Sequence, residues 1–177
     1  MSARNDYFTL FDLPRQYLVD KAALEAAYER LTLETHPDFL AGADDAEKKA
    51  ALKISAQLNE AYRVLSSGRE RAAYLLSLLA NGTQMDTKTL PPGFLQEMFF
   101  LQEAVEALGQ EDDEAEKAPL RSQTRERLEA IENERQTLFE QAQQTKEAAL
   151  YQAIQSNINC ERYLLRLIES LDGKEML

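Results

Sequence analysis

The sequence predicts an all-α protein, and both composition and hydrophobic periodicity support this fold class. Runs of Ala, Leu, Glu, Gln and Arg, which are strong helix formers, dominate the 177 residues. Only six Gly and five Pro interrupt these runs. Apolar residues recur at the three- and four-residue spacing of amphipathic helices through most of the chain. The hydrophobic fraction of 44% is sufficient for a folded core, and the length suits one long domain or two short ones.

A short apolar segment and one long helix open the chain. Residues 7–11 form an apolar patch that ends before Pro14, which indicates a brief helix or turn packed on another element. A longer helix is predicted from Asp20, a suitable N-cap, to about residue 35. Its apolar stripe follows the i, i+4, i+7 spacing and consists of Leu24, Tyr28 and Leu31.

A second long helix is predicted over about residues 45–65, antiparallel to the first because only a short loop joins the two. Ser67 begins a capping-box signature that Glu70 completes, so a further helix should start there and end at Asn81-Gly82. Residues 83–93 contain two adjacent prolines and are predicted to form a linker. One face of the second long helix is predicted to carry Ile54, Leu58, Ala61 and Leu65.

Three more helices are predicted, over about residues 94–108, 119–142 and 146–171, and their patterns suit a helical bundle. Residues 109–117 are predicted to form an acidic, solvated loop. Pro119 fits the first turn of the helix that follows this loop. The last two helices repeat apolar residues at Leu120, Leu128, Ile131 and Leu138, and at Leu150, Ile154, Ile158, Leu165 and Ile168.

The two predicted domains, residues 1–80 and 94–177 joined by a linker at 81–93, differ in charge. Residues 1–90 contain 11 Lys and Arg against 13 Asp and Glu, a net charge of −2. Residues 91–177 contain 9 against 18, a net charge of −9, and the two parts give the −11 of the whole chain. So acidic a C-terminal half argues against nucleic acid as a partner, because phosphates require cationic side chains.

Several kinds of segment and site are not expected from this sequence. No apolar window approaches the roughly 18 residues of a membrane-spanning helix, so no membrane association is predicted. The N-terminus lacks the apolar run and cleavage site of a signal peptide, and it carries acidic residues too early for a transit peptide. The single cysteine, Cys160, excludes an internal disulfide and a cysteine-cluster metal site. We therefore expect a cytoplasmic protein without a cofactor, with Cys160 in the core.

The only histidine, His36, is followed by Pro37 and Asp38 between the first two long helices. Proline disfavours the α conformation in the residue before it, so the first of these helices should end near His36. His36 and Asp38 are then presented on a loop, where contacts with partners are often built. Taken alone, the tripeptide is equally compatible with a helix-terminating proline between two solvated residues, and the surrounding sequence must decide.

Several segments around this tripeptide make the first 80 residues resemble a J-domain. Tyr7-Phe8 precedes an apolar turn, and Tyr28 and Leu31 lie on the helix that leads into the tripeptide. Residues 58–66, with the sequence LNEAYRVLS, follow at the spacing typical of J-domains, and residues 71–74, RAAY, come next. The tripeptide and the segment NEAYRVL together form a specific signal.

The chain most resembles the HscB family of iron–sulfur cluster co-chaperones. Residues 6–14, DYFTLFDLP, are similar to the N-terminus of that family, and residues 71–78, RAAYLLSL, to its final J-domain helix. A J-domain followed directly by a short acidic helical domain, without a Gly/Phe-rich stretch or a zinc module, is also the layout of that family. The resemblance implies an L-shaped molecule with a C-terminal three-helix bundle, which acts as a co-chaperone and does no covalent chemistry itself.

The resemblance also implies two protein partners. The J-domain would dock, through His36, Pro37 and Asp38, on a heat-shock ATPase chaperone of the HscA/DnaK class and stimulate its ATP hydrolysis. The C-terminal domain would bind the scaffold protein of the IscU class, on which iron–sulfur clusters are assembled. The co-chaperone would deliver this scaffold to the chaperone and aid cluster assembly or transfer.

The helix before the tripeptide departs from the usual J-domain pattern, in which it has a basic face. Here Lys21 and Arg30 are accompanied by three acidic residues, and Phe39 follows Asp38. Electrostatic steering toward an acidic partner should therefore be weak, unless cations on the next helix compensate. The candidate cations for chaperone binding are Arg30, Lys48, Lys49 and Lys53.

The helix that begins at Phe94 is apolar on more faces than a small bundle needs. With Phe94 at zero and about 100° per residue, the core stripe falls within about 40° and consists of Met98, Leu101, Val105 and Leu108. Leu95, Phe99 and Phe100 fall outside it, at about 100°, 140° and 240°. Clustered exposed aromatics favour a partner site, and the alternative is that this flank packs on the first domain.

In the HscB family the scaffold site lies on this helix, with an aromatic residue from the last helix. The resemblance therefore implies a site formed by Leu95, Gln96, Phe99, Phe100, Glu103, Ala107 and Tyr163. Gln96, Phe100 and Ala107 differ from the apolar, acidic and acidic residues usual at these positions.

Three alternatives remain open on the sequence alone. In the first, His36 and Asp38 serve acid–base chemistry, or bind a metal together with Asp44 and Asp45. No second histidine, cysteine cluster or phosphate-binding loop accompanies them, however. The second alternative is an adaptor with a J-like fold that has lost its coupling to the chaperone. The third is a J-domain co-chaperone that delivers a different client.

Overall fold

The computed structural model describes residues 6–35, 44–108 and 114–172, and within these ranges it contains helices and no strand. The predicted all-α fold class is confirmed. No helix in these ranges has both the length and the apolar character needed to span a lipid bilayer. The chain divides into two compact units, Met1–Leu75 and Leu76–Leu177. In chain order the helices are α1 (Tyr7–Leu10), α2 (Lys21–Glu34), α3 (Asp45–Ser66), α4 (Gly68–Leu79), α5 (Phe94–Ala107), α6 (Glu114–Thr145) and α7 (Ala148–Leu171).

In the first unit, α1 and α2 both pack on α3. Asp20 caps α2 as predicted, because its carboxylate accepts hydrogen bonds from the backbone N–H groups of Ala22 and Ala23 at 2.9 and 3.1 Å. The Ser67 hydroxyl accepts from the Glu70 N–H at 3.3 Å, so the predicted start of α4 is confirmed as well. The buried apolar residues of this unit include Phe8, Phe11, Tyr17, Leu24, Leu58, Ala61, Val64 and Leu65.

One member of the predicted α3 stripe is not buried. Ile54 is 44% exposed, although it lies on the same side of the helix as buried Leu58 and Leu65. In this part of α3 the buried residue is Ala51, one turn earlier, and Ile54 is only partly covered. Helical spacing therefore identified the correct face, but the face is not covered along its whole length.

In the second unit, α6 and α7 form the main helix pair and α5 packs on both. All three helices contribute side chains to one apolar core. The α5 stripe predicted from the helical wheel packs into this core. The buried residues of this core are Phe94, Met98, Leu101, Ile131, Cys160, Leu164 and Leu167.

Helix α6 is longer than predicted. It begins at Glu114, so the predicted loop over residues 109–117 is wrong from that residue on, and Pro119 lies inside the helix instead of in its first turn. Carboxylates are favourable in the first turn of a helix, where Glu114 stands, because they interact with the positive end of its dipole. Arg121 also pairs with Glu114 at 2.8 Å and with Asp172, after the end of α7, at 2.9 Å. From Glu114 onward, the acidic segment that was predicted as a loop is thus the start of a helix.

Buried polar side chains shift the predicted stripes of α6 and α7. Arg135 is 1% exposed, and its guanidinium donates hydrogen bonds to Asn157 Oδ1 and Glu161 Oε2, both at 2.8 Å. Asn157 in turn donates to the Ile131 carbonyl at 3.0 Å. Hydrophobic periodicity does not mark such positions as core. Of the predicted residues, Ile131 and Ile154 are buried, whereas Leu120, Leu128, Leu138, Leu150, Ile158, Leu165 and Ile168 are half-buried.

Candidate partner-binding surfaces

The predicted chaperone contact, His36-Pro37-Asp38, lies outside the described residues, but the helix ends on either side of it are described. After α2, the Thr35 hydroxyl donates a hydrogen bond to the Leu31 carbonyl at 2.8 Å. Before α3, Asp44 and Glu47 form a capping box, in which each carboxylate accepts from the other residue's N–H, at 2.8 and 3.0 Å. Both helix ends next to the tripeptide are therefore fixed by hydrogen bonds, and the roles of its three residues stay predictions.

Two tyrosines join α2 to α3. The rings of Tyr28 and Tyr62 stack with centroids 4.3 Å apart, and the Tyr28 hydroxyl donates to Asn59 Oδ1 at 2.8 Å. Leu58 and Ala61, in the same segment of α3, are buried. The NEAY segment that makes the sequence resemble a J-domain thus uses its side chains to hold the helical hairpin together.

Buried and half-buried residues of α4 fix the other end of the first unit. The Arg71 guanidinium donates to the carbonyls of Tyr17, at 2.8 Å, and Leu65, and it lies 5.3 Å from the Tyr17 ring centroid. The Tyr74 ring stacks on Tyr7 at 4.4 Å, and its hydroxyl accepts the Tyr7 N–H at 3.0 Å. Burial raises the pKa of Tyr74 above its ordinary value, so it remains a neutral phenol.

The candidate cations for chaperone binding are exposed but differ in their surroundings. Arg30 pairs with Glu34 on the same helix at 3.2 Å, which reduces the positive potential of α2. Lys48, Lys49 and Lys53 lie on the solvent side of α3, around the exposed side chain of Leu52. The basic part of this unit therefore lies on α3, as the sequence predicts, and its role in chaperone binding stays a prediction.

Three large apolar side chains of α5 lie outside the core of the second unit. Leu95, Phe99 and Phe100 are each 59% exposed, whereas Phe94, Met98 and Leu101 are at most 9% exposed. The Phe99 and Phe100 rings meet edge to face, with centroids 6.0 Å apart. The core stripe and the exposed apolar residues thus occupy different sides of one helix, as the helical wheel predicts. With Gln96, Glu103 and Ala107, which are also exposed, these residues form what we call the α5 face.

Tyr163 stands apart from the α5 face. It lies on α7, is half-buried against the core, and meets the Phe94 ring edge to face with centroids 5.9 Å apart. The Arg162 guanidinium lies 5.8 Å from the Tyr163 ring centroid. The predicted scaffold residues therefore form one group on α5 and a separate aromatic on α7.

An ion pair that the sequence analysis missed holds α5 against α6. Arg127 Nε lies 3.0 Å from Glu97 Oε1, and the second guanidinium nitrogen lies 3.4 Å from the other carboxylate oxygen. No local spacing links two residues 30 positions apart in the sequence. Only the packing of the two helices brings this pair together.

Two acidic or nucleophilic side chains named in the sequence analysis, Asp44 and Cys160, are among the described residues. Among them no cluster of His, Cys, Asp and Glu has the geometry of a metal site. Cys160 is buried as expected, and burial raises the pKa of its thiol to about 11, so the nucleophilic thiolate is disfavoured at neutral pH. Asp44, one proposed metal ligand, is the N-cap of α3.

Comparisons with known proteins agree with the two units. Residues 6–74 match the DnaJ domain family, and residues 90–172 match the HSCB C-terminal oligomerisation domain family. A co-chaperone protein HscB homolog from Cupriavidus taiwanensis is 42% identical over 133 residues, which cover 72% of this chain and 76% of the relative.

Solved structures extend the similarity to nearly the whole chain. Chaperone HscB from Vibrio cholerae matches with a TM-score of 0.79 at 27% identity, covering 96% of both chains. The crystal structure of human co-chaperone protein HscB matches with a TM-score of 0.81 at 26% identity, covering 98% of this chain and 84% of the human one. The chain belongs to the HscB family of J-domain co-chaperones.

Proposed function

We propose that this co-chaperone stimulates ATP hydrolysis by a heat-shock chaperone of the HscA/DnaK class and delivers to it an iron–sulfur cluster scaffold of the IscU class. The observation that carries the proposal is the α5 face, which exposes three large apolar side chains in a domain that already has a complete core. The family membership of both units supports the same assignment. The protein would act by binding both partners, without covalent chemistry of its own.

The J-domain part of the proposal rests on the capped hairpin around His36-Pro37-Asp38. Asp38 lies in the sequence between two helix ends that hydrogen bonds fix, and its carboxylate can accept a charge-assisted hydrogen bond from an arginine of the chaperone. Such a contact stimulates hydrolysis only if it is stronger in one conformational state of the chaperone than in the other. Exposed Lys48, Lys49 and Lys53 would supply the steering that the acidic α2 does not.

The scaffold part of the proposal rests on the area that the α5 face offers. A leucine and two phenylalanines that are each 59% exposed leave on the order of 300 Å² of apolar surface in contact with water. Contiguous apolar patches of this size are often functional on soluble proteins, and aromatic residues commonly anchor interfaces. We infer that Leu95, Phe99 and Phe100 insert into the scaffold, with Gln96, Glu103 and Ala107 at their borders.

A different client remains the second candidate, because three residues of the face depart from the family pattern. Phe100 and Ala107 stand where acidic residues are usual, and Gln96 stands where an apolar residue is usual. These changes make the face less acidic than in typical relatives. A scaffold pull-down with the purified protein separates the two candidates, since a co-chaperone with another client would not retain the scaffold.

Single-turnover ATP hydrolysis by the cognate chaperone tests the whole proposal. We expect the wild type to accelerate hydrolysis and His36→Gln to lose this effect with and without scaffold. The double variant Leu95→Ala/Phe99→Ala should keep the basal stimulation and lose only the synergy with scaffold. Leu18→Ala is a matched control, because Leu18 is similarly exposed, at 52%, and lies in neither predicted site. If the wild type does not accelerate ATP hydrolysis, the proposed function is wrong and the adaptor alternative replaces it.

A further inference from the structure

The segment predicted as a linker is held against α7 by side-chain amides. Asn159 is 6% exposed and donates hydrogen bonds to the carbonyls of Thr87, at 3.0 Å, and Thr89, at 2.9 Å. Two turns earlier on α7, Gln152 accepts the Asp86 N–H and donates to the Asp86 carbonyl, both at 2.9 Å. We call residues 86–90 the strap. Its backbone is fixed on both sides of Lys88, because both neighbouring carbonyls are bound by one buried amide.

The strap lies between the two groups of predicted scaffold residues. A groove of about 530 Å³ is lined by Lys88 and Leu90 of the strap and by Leu95 of the α5 face. A second groove, of about 490 Å³, is lined by the same two strap residues and by Arg162 and Tyr163 of α7. Lys88 and Leu90 are therefore common to both grooves, of which one lies beside Leu95 and the other beside Tyr163.

Lys88 and Arg162 place two cations along these grooves. Both are exposed, and within the described part of the chain neither forms an ion pair with a carboxylate. The chain from residue 91 onward nevertheless carries 18 acidic against 9 basic residues. Of the other arginines of this unit, Arg121, Arg127 and Arg135 are paired with carboxylates, whereas Arg125 and Arg166 have no such pair among the described residues. Arg125 and Arg166 line neither groove, whereas Lys88 lines both and Arg162 lines the second. Two unpaired cations beside the predicted scaffold residues favour an acidic group on the partner.

We propose that the strap is part of the scaffold-binding surface and that Lys88 and Arg162 form ion pairs with carboxylates of the scaffold protein. This inference rests on the proposed function, because it names further contacts of the same surface. The α5 face would bury apolar area, and the two cations would orient the scaffold and accelerate its association. Charges at the rim of an interface act mainly on the association rate and its salt dependence, which gives the proposal a specific signature.

The test is charge reversal in the full-length chain, measured by the rate of association with the purified scaffold. Lys88→Glu/Arg162→Glu should slow association about 5- to 20-fold at low salt, and the difference should shrink to about 2-fold at roughly 0.5 M salt, where exposed charges are screened. The neutral variant Lys88→Gln/Arg162→Gln should show a smaller effect in the same direction. Arg125→Glu/Lys146→Glu is the matched control, because it changes the net charge equally at exposed positions away from the strap.

The outcomes separate this inference from the proposed function. If the reversal variant associates as fast as the Arg125→Glu/Lys146→Glu control, or if its deficit persists unchanged at high salt, the inference is overturned. Loss of binding in Leu95→Ala/Phe99→Ala would still support the α5 face in that case. A wild type that does not bind the scaffold at all would overturn both. The thermal midpoints of the variants show that each one is folded.

Discussion

Replacing Phe99 by alanine should weaken scaffold binding and leave the free energy of unfolding almost unchanged. Phe99 is 59% exposed, and a phenylalanine side chain can bury roughly 200 Å², so about 120 Å² is available to a partner. At about 25 cal/mol per Å², this area contributes up to about 3 kcal/mol to binding. Alanine retains the Cβ atom, so we expect a loss of about 1.5–2.5 kcal/mol, which is a roughly 10- to 70-fold rise in Kd.

Isothermal titration with purified scaffold gives the Kd, and urea denaturation gives the free energy of unfolding. In the free protein Phe99 meets Phe100 edge to face, so Phe99→Ala removes a surface contact, and the free energy of unfolding should fall by less than about 1 kcal/mol. Leu18→Ala, at a similarly exposed site in the other unit, should change neither quantity. An unchanged Kd for Phe99→Ala would refute the reasoning, as would a stability loss large enough to place Phe99 in the core.

Three further predictions concern the folded chain itself. Tyr28→Phe removes the hydrogen bond to Asn59 and should lower the free energy of unfolding by about 0.5–1.5 kcal/mol in urea denaturation, whereas no change would contradict a role for this bond in joining α2 to α3. Arg135→Met leaves buried Asn157 and nearby Glu161 without their donor and should cost about 2–4 kcal/mol by the same measurement, and a neutral result would contradict the buried network. Cys160 should react with iodoacetamide at pH 8 at least about 10-fold more slowly in the native protein than in urea, because burial disfavours the thiolate, and equal rates would contradict this.

Helical spacing and capping residues were sufficient to predict the main helices. The start of α2 at Asp20 and the start of α4 after Ser67 depend on side-chain to backbone hydrogen bonds between residues two or three positions apart, which a sequence displays directly. The start of α6 was mispredicted because an acidic run fits both a solvated loop and a helix N-terminus. In the structure Arg121 pairs with Glu114 at this helix start and also with Asp172, which is 51 residues away in the sequence, and local spacing does not display the second contact.

The core of the second unit was predictable only in part, for a related reason. Hydrophobic periodicity identified the α5 stripe, because that stripe is wholly apolar. It failed on α7, where Asn157 and Asn159 are buried because distant groups satisfy their amides. The strap was predicted as a linker for the same reason, since its carbonyls are bound by Asn159, 70 or more residues later. The local sequence pattern does not reveal hydrogen-bond partners that lie so far apart in the sequence.

The exposed residues of α5 were predictable because one helix cannot bury all its faces in a small bundle. The wheel placed Leu95, Phe99 and Phe100 outside the core stripe, and all three are exposed. The wheel could not show that Tyr163 lies apart from these residues, beside a groove that the strap also lines. That arrangement depends on how α7 packs against Phe94, which is a tertiary contact.

Apart from His36-Pro37-Asp38, the residues that make the first unit recognisable are different from those proposed to touch its partner. Asn59 and Tyr62 bind Tyr28, and Arg71 binds the Tyr17 carbonyl, so these side chains act within the fold. Substituting these side chains should lower the free energy of unfolding. ATPase stimulation should fall only to the extent that the hairpin of α2 and α3 becomes less stable. Substituting His36 should change stimulation without changing stability. Comparing the two measurements variant by variant therefore separates a fold contact from a partner contact.

The departures on α5 bear on the electrostatics of the proposed scaffold surface. Phe100 and Ala107 stand at two positions where carboxylates are usual in the family. The α5 face of this chain therefore carries less negative charge than the same face in typical relatives. Lys88 and Arg162 are then opposed by fewer nearby acids, and their positive potential extends farther toward an approaching partner. Restoring the acids with Phe100→Glu/Ala107→Glu should consequently slow association at low salt, in addition to removing apolar area. If Ala107→Glu alone leaves the association rate unchanged at every salt concentration, the charge of this face plays no part in recognition.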